Sequence, residues 1–233
     1  MIKKILFYIF ILILILIIFL IYCQVLSLKK RNNDIQILQS ETPNENTIQN
    51  LIVEKYPTVF RQVLFGWEPI IETFDTSINH INHLIKTNNE FTEDLIKCLN
   101  SYSMCFSLGW DYDFNEYKKH QKDNYFTLEQ EHRHIICQIT GEQKILLASP
   151  SQSKYIKSQK LNKNIKNNII STTNFWNKKE TCKKPFCNLE YIEIILREGN
   201  ILYIPEGWWF LSMIEEDSIV LNAYNLSFIS LFC

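Results

Sequence analysis

The chain has 233 residues, 46% of them hydrophobic and 13% aromatic, enough for one sizeable core and too short for two comfortable ones. A formal net charge of −1 gives no whole-chain field to attract nucleic acid, so specific nucleic-acid binding is not expected. Five glycines and six prolines exclude a low-complexity chain and make each Gly or Pro informative.

Ile5 to Cys23 reads ILFYIFILILILIIFLIYC without one charge. That length matches the roughly 20 apolar residues that cross a bilayer core. Lys3 and Lys4 precede the run, and Lys29, Lys30 and Arg31 follow it. A cleaved signal peptide would have a shorter apolar region and a small-residue cleavage site. Residues 1–24 are therefore expected to be a retained transmembrane anchor, with the membrane as a partner. The slight excess of positive charge after the run favours a main domain on the cytoplasmic side.

Residues 25–50 are polar, rich in Asn, Gln, Ser, Thr and Glu, and are expected to form a linker. From Leu51 the composition turns globular, so 51–233 is taken as the domain. Ser77 to Lys86 sets Ile78, Ile81 and Ile85 on one helical face, and Thr92 opens a second short helix with Leu95, Ile96 and Leu99 inward. His80 and His83 on the first helix read as surface histidines before they read as a metal pair.

After Tyr102 the pattern becomes strand-like. Tyr125 to Ile139 and Lys144 to Leu147 are apolar runs separated by Gly141. Ser151 to Asn188 is a long polar insertion in which Lys154, Lys157, Lys160, Lys163 and Lys166 recur every three residues. It reads as a solvated loop, with contact to anionic lipid or phosphate as an alternative. Tyr191 to Leu196, Ile201 to Pro205 and Ser218 to Tyr224 are again strand-like. Gly199 and Asn200 suit a tight turn, Pro205 ends a ladder because it has no N–H, and Gly207 lets the chain reverse. Trp208 and Trp209 then bring large apolar area to the mouth of a barrel.

The seven cysteines follow no regular spacing, which points to a reducing compartment. Cys98 and Cys137 read as small buried apolar residues. Cys182 and Cys187 could bridge or bind metal, but without a nearby His they read first as loop thiols.

Two segments carry a family resemblance. One is His134-Ile-Ile-Cys-Gln-Ile-Thr-Gly141, continuing through Lys144 to Ser149-Pro150. The other is Leu196-Arg-Glu-Gly-Asn-Ile-Leu-Tyr-Ile-Pro-Glu-Gly-Trp-Trp-Phe210. In this order they resemble the cupin-like side of the JmjC family, particularly the asparaginyl-hydroxylase type and its relatives in large DNA viruses. Heavy use of Ile, Asn and Lys fits an AT-rich genome, and with the resemblance makes such a virus the expected source. The resemblance implies a mainly β (α+β) fold, a double-stranded β-helix of cupin or jelly-roll type with N-terminal helices, here behind one transmembrane helix.

Oxygenases of this family hold Fe(II) with two histidines and a carboxylate and use 2-oxoglutarate. Counted back from Gly141, the first histidine and the carboxylate fall on Leu128 and Gln130. The distal histidine, after the paired Trp, falls on Phe210. The lysine offered to 2-oxoglutarate falls on Gln143, with Lys144 adjacent but facing the other way by alternation. The resemblance therefore implies degenerate ligand positions and no metal or cofactor. A rival register uses His132 and His134 as an HxH pair, which Asp111, Asp113 or Glu129 could complete only if folding brings one of them in. Otherwise His132, His134 and Gln138 line a vestigial wet pocket, to which Gln143, Lys144, Trp208 and Asn222 are further candidates. The expected function is a catalytically inactive domain that binds an unidentified protein partner at a membrane. The alternatives are an Fe(II)/2-oxoglutarate hydroxylase with a non-standard site, and an anionic lipid or phosphate module.

Overall fold

The computed structural model describes residues 2–29, 34–40, 50, 54–61, 107–129, 133–163 and 166–227. The chain divides into a unit from Met1 to Arg31 and a unit from Asn32 to Cys233. The first holds helix α1, Ile2–Lys29, whose apolar side chains are exposed, from 42% at Ile21 to 70% at Leu12. Over the described residues no helix is long and apolar enough to cross a membrane. The two helices expected over Ser77–Lys86 and from Thr92, with His80 and His83, lie outside the described residues.

The second unit is built from two sheets. Its strands in chain order are β1 (Leu38–Ser40), β2 (Thr58–Phe60), β3 (Ser107–Tyr117), β4 (Gln121–Lys122), β5 (Thr127–Leu128), β6 (Arg133–Thr140) and β7 (Glu142–Ala148). They continue as β8 (Ser158–Lys163), β9 (Lys166–Ser171), β10 (Ile192–Arg197), β11 (Ile201–Pro205), β12 (Trp209–Ile214) and β13 (Ser218–Ser227). One sheet runs β1-β2-β11-β6-β13-β3 and the other β10-β7-β12-β5-β9-β8, with β4 on β12. The chain crosses between the sheets from β6 to β7, β10 to β11, β11 to β12 and β12 to β13, so the sheets face each other across one core.

Side-chain alternation explains the packing. Ile145 and Leu147 of β7 join Ile136, Leu202, Ile204 and Trp208 between the sheets, while Leu146 and Ala148 join Phe126, Trp209 and Leu211 in a second cluster. Trp208 is fully buried, and a side chain of this class stabilises the fold by about 1.5–3 kcal/mol or more on burial.

Two expectations are corrected. Leu38–Ser40, inside the stretch read as linker, is a strand that pairs in parallel with β2, and Ile37 packs against the inter-sheet core. The alternating Ile35-Gln-Ile37 ahead of it carries that signal. The insertion read as a solvated loop folds instead. A 3-10 turn at Pro150–Tyr155 leads into the β8–β9 hairpin, which joins the sheet where Ile170 pairs with Thr127. A short helix α2 (Lys178–Thr181) and a 3-10 turn at Phe186–Asn188 follow. The insertion holds because Ile156, Phe175, Trp176 and Phe186 cover the second cluster, with Phe175 edge-on to Phe126 at 5.5 Å. Cys182 and Cys187 are free and exposed on it, whereas Cys137 is buried and its thiol is pushed up to about 12 by desolvation.

The expected turns hold at glycine. Gly199 has φ +78° and Gly207 φ +86°, whereas Asn200 is not among the positive-φ residues. Gly207 also donates its N–H to Glu129 O at 2.8 Å, and Glu129 N–H donates to Trp208 O at 2.8 Å. A β-branched side chain at that φ costs about 1–3 kcal/mol. Gly207→Val is expected to lower the melting temperature by roughly 5 °C or more, with Gly207→Ala between it and wild type. An unchanged melting temperature in Gly207→Val would show that this turn does not constrain the fold.

Candidate functional site

The alternation that buries Trp208 also carries Phe210 and Ser212 toward the space between the sheets. They line a cavity of about 190 Å³ together with Asp123, His134, Asn222 and Tyr224. His134 sits in the middle strand region of its sheet, in register with Tyr224 of β13 and Ile204 of β11. Its side chain is 1% exposed, so both ring nitrogens need partners.

Both are occupied. Nδ1 donates to Glu129 Oε2 at 2.7 Å, and Nε2 lies 3.2 Å from Asn222 Oδ1. A neutral ring that gives its Nδ1 proton to Glu129 keeps Nε2 as an acceptor, which Asn222 meets by turning its NH2 inward. A charged ring donates to Asn222 Oδ1 instead. In either state no ring nitrogen is left over. Tyr224 stacks on one face of the imidazole, with centroids 4.4 Å apart and planes at 23°, and Phe210 meets it edge-on at 5.5 Å.

At the other side of the cavity Ser212 links Asp123 and Gln143. Its N–H donates to Asp123 Oδ2 at 3.2 Å, and its hydroxyl accepts from Gln143 Nε2 at 2.9 Å. Gln143 Oε1 is buried without a partner. Burial raises the Asp123 pKa from the usual carboxylate value, and the Ser212 N–H pulls it the other way.

Residues 115–225 match the family model described as a cupin-like domain. The chain carries a cupin-like domain. A comparison with curated proteins finds no match. Solved structures similar to it include YcfD, a ribosomal oxygenase from Escherichia coli, at 15% identity, 63% of this chain, 29% of that chain and TM-score 0.31. Others are hydroquinone 1,2-dioxygenase from Sphingomonas sp. TTNP3 (11% identity, 52% and 61% covered, TM-score 0.32) and dTDP-4-dehydrorhamnose 3,5-epimerase from Elizabethkingia anophelis NUHP1 (10%, 52% and 51%, TM-score 0.27). This chain spans between 29% and 61% of the length of these three proteins. Overlaps of this size carry no inference about activity.

Within the cupin-like domain the expected site residues separate. His134, Asn222, Gln143 and Phe210 line one cavity. Leu128 pairs with Trp209 and packs with it in the outer cluster, so it does not face the cavity; its neighbour Glu129 faces His134 instead. Trp208 belongs to the inter-sheet core, and Gln138 turns its NH2 to Thr140 O at 2.8 Å. Lys144 reaches Glu193 at 2.8 Å on the outer side, and that hydrogen bond raises its pKa. Gln130 and His132 lie outside the described residues, as do the side chains of Asp111 and Asp113, whose backbones stand opposite Tyr224 and Asn222. Of the three carboxylates weighed for completing a site, Glu129 has a described side chain, and folding brings it to His134. Asp123, Ser212 and Tyr224 went unread; Ser212 was recoverable by counting two residues on from Phe210 along β12.

The described residues do not fit an Fe(II)/2-oxoglutarate centre. Among them no three His, Cys, Asp or Glu side chains converge to hold a metal ion. His134 and Glu129 hydrogen-bond to each other, and the described cavity lining holds no Lys or Arg for a dicarboxylate. Glu129→Ala leaves a buried imidazole without its acceptor and is expected to cost about 3 kcal/mol of unfolding free energy. Glu129→Gln, which can still accept, is expected to cost less. Denaturant titration of both variants measures this, and a loss under about 0.5 kcal/mol in Glu129→Ala would show that the pair contributes nothing.

Proposed function

We propose that this chain is a membrane-tethered cupin-like domain that works by binding and does not turn over 2-oxoglutarate with Fe(II). The observation that carries the reading is the buried cluster in which Glu129 and Asn222 meet the two ring nitrogens of His134, with Phe210 and Tyr224 against the imidazole. A metal taking Nε2 of His134 would displace its contact with Asn222 and gain one nitrogen donor, with no group of three His, Cys, Asp or Glu side chains to complete its shell among the described residues. The family resemblance puts the ligand positions on Leu128, Gln130 and Phe210, two non-ligands and a poor one, and supports the same conclusion from sequence.

Tethering rests on α1. Its uncharged run Ile5–Cys23 is about 28 Å long at 1.5 Å per residue, close to the roughly 30 Å of a bilayer core. Its exposed Leu12, Ile15 and Phe10 form an apolar surface that water does not favour. The folded unit would sit on the cytoplasmic side, in keeping with the charges that flank the run and with free, exposed Cys182 and Cys187.

Two measurements test these claims separately. Purified chain loaded anaerobically with Fe(II) and 2-oxoglutarate, then exposed to air, is expected to retain well under one iron per chain and to form no succinate above a protein-free control. Stoichiometric iron with turnover lost in His134→Ala would overturn the binding-only reading. After carbonate extraction of membranes the intact chain is expected in the pellet; recovery in the supernatant, or a mature N-terminus near Gln24, would remove the anchor.

A further inference from the structure

The cavity has a polarity that the hydrogen-bond network around His134 does not use. Gln143 is 2% exposed, its NH2 is committed to Ser212, and its Oε1 has no donor. An unmet buried acceptor costs about 1–3 kcal/mol and is the kind of group a ligand donor satisfies. Asp123 reaches the same Ser212 from the other side, so two acceptors, one of them a carboxylate, flank one residue of the cavity wall. The carboxylate fixes the sign of the preference, since it accepts whichever way the Gln143 amide is turned. Desolvation raises the Asp123 pKa, against the pull of the Ser212 N–H. The described lining holds no Lys or Arg, and the one histidine is answered by Glu129. Phe210 and Tyr224 add aromatic rings, whose faces attract cations.

We propose that this cavity binds a small organic ammonium compound, whose N–H groups donate to the Asp123 carboxylate and to Gln143 Oε1. The ligand is small because about 190 Å³ is only some six times the volume of a water molecule in the liquid. Selectivity runs against dicarboxylates, which meet a like charge at Asp123 and no basic side chain among the described lining residues. The inference rests on the binding-only reading, because a functioning Fe(II)/2-oxoglutarate centre would require this same space to accept an anion.

The test uses the full chain in detergent at neutral pH and constant ionic strength, titrated in parallel with ethanolamine, glycerol and succinate and followed by thermal unfolding and calorimetry. Ethanolamine is expected to raise the melting temperature saturably, by roughly 5 °C near a hundredfold excess over its Kd. Glycerol and succinate at equal concentration are expected to do neither. Asp123→Asn, which keeps an acceptor for the Ser212 N–H but loses the charge, is expected to weaken ethanolamine at least tenfold, and Gln143→Met to weaken it several-fold. The proposal is overturned by no ethanolamine response in wild type, by an equal response to glycerol, by a stronger response to succinate, or by unchanged ethanolamine affinity in a folded Asp123→Asn. A separate arm with 2-oxoglutarate plus Fe(II) keeps the two readings apart. Silence there alongside silence with ethanolamine removes the ammonium ligand and leaves the binding-only reading standing, whereas iron-dependent 2-oxoglutarate binding removes both.

Discussion

A strand buried on both faces has to satisfy two packing environments with one alternating sequence, and β7 and β12 are under that constraint along most of their length. Ile145, Leu147 and Ile214 serve the space between the sheets, while Leu146, Ala148, Trp209 and Leu211 serve the outer cluster under the insertion. Because the two strands pair directly, with Leu211 opposite Leu146 and Phe210 opposite Leu147, a slip of one residue in either would exchange both environments at once. That penalty holds the register of the sheet, and it is what places Phe210, Ser212 and Gln143 on one wall with little freedom to turn away.

How much of this was legible follows from where local rules and tertiary demands agree. Strand β11 and its flanks were readable because Gly199, Pro205 and Gly207 each have few backbone options, and the strand between them had only to be apolar. The insertion was misread because Lys and Asn dominate its composition, while its stability comes from four scattered apolar residues, Ile156, Phe175, Trp176 and Phe186, that find their partners at Phe126 and Trp209. No window of the sequence holds both halves of that contact. The start of the folded unit was set too late for a similar reason: Leu38–Ser40 is three residues of strand whose support comes from β2 and whose neighbour Ile37 reaches the core.

The site shows the same division. Counting from Gly141 pointed to Gln143, which lines the cavity where Phe210, His134 and Asn222 also stand. It did not reveal that Leu128 joins the outer cluster while Glu129 turns inward. That single step of parity changes the chemistry. An acid and a histidine meet there as hydrogen-bond partners, and Asp123 and Gln143, two residues that composition alone had no means of pairing, meet at Ser212.

The hairpin β8–β9 also relocates an edge. Without it, the sheet would end at β5, two residues long and adjacent to Glu129; with it, the terminal strand is β8, whose sequence is Ser-Gln-Lys-Leu-Asn-Lys. Exposed edges invite strand-to-strand addition from neighbouring chains, and lysine is a common deterrent. At the opposite end β10 alternates exposed Glu193 and Arg197 with buried Ile194 and Leu196. The insertion thus trades a two-residue edge beside Glu129 for a longer one whose sequence carries two lysines.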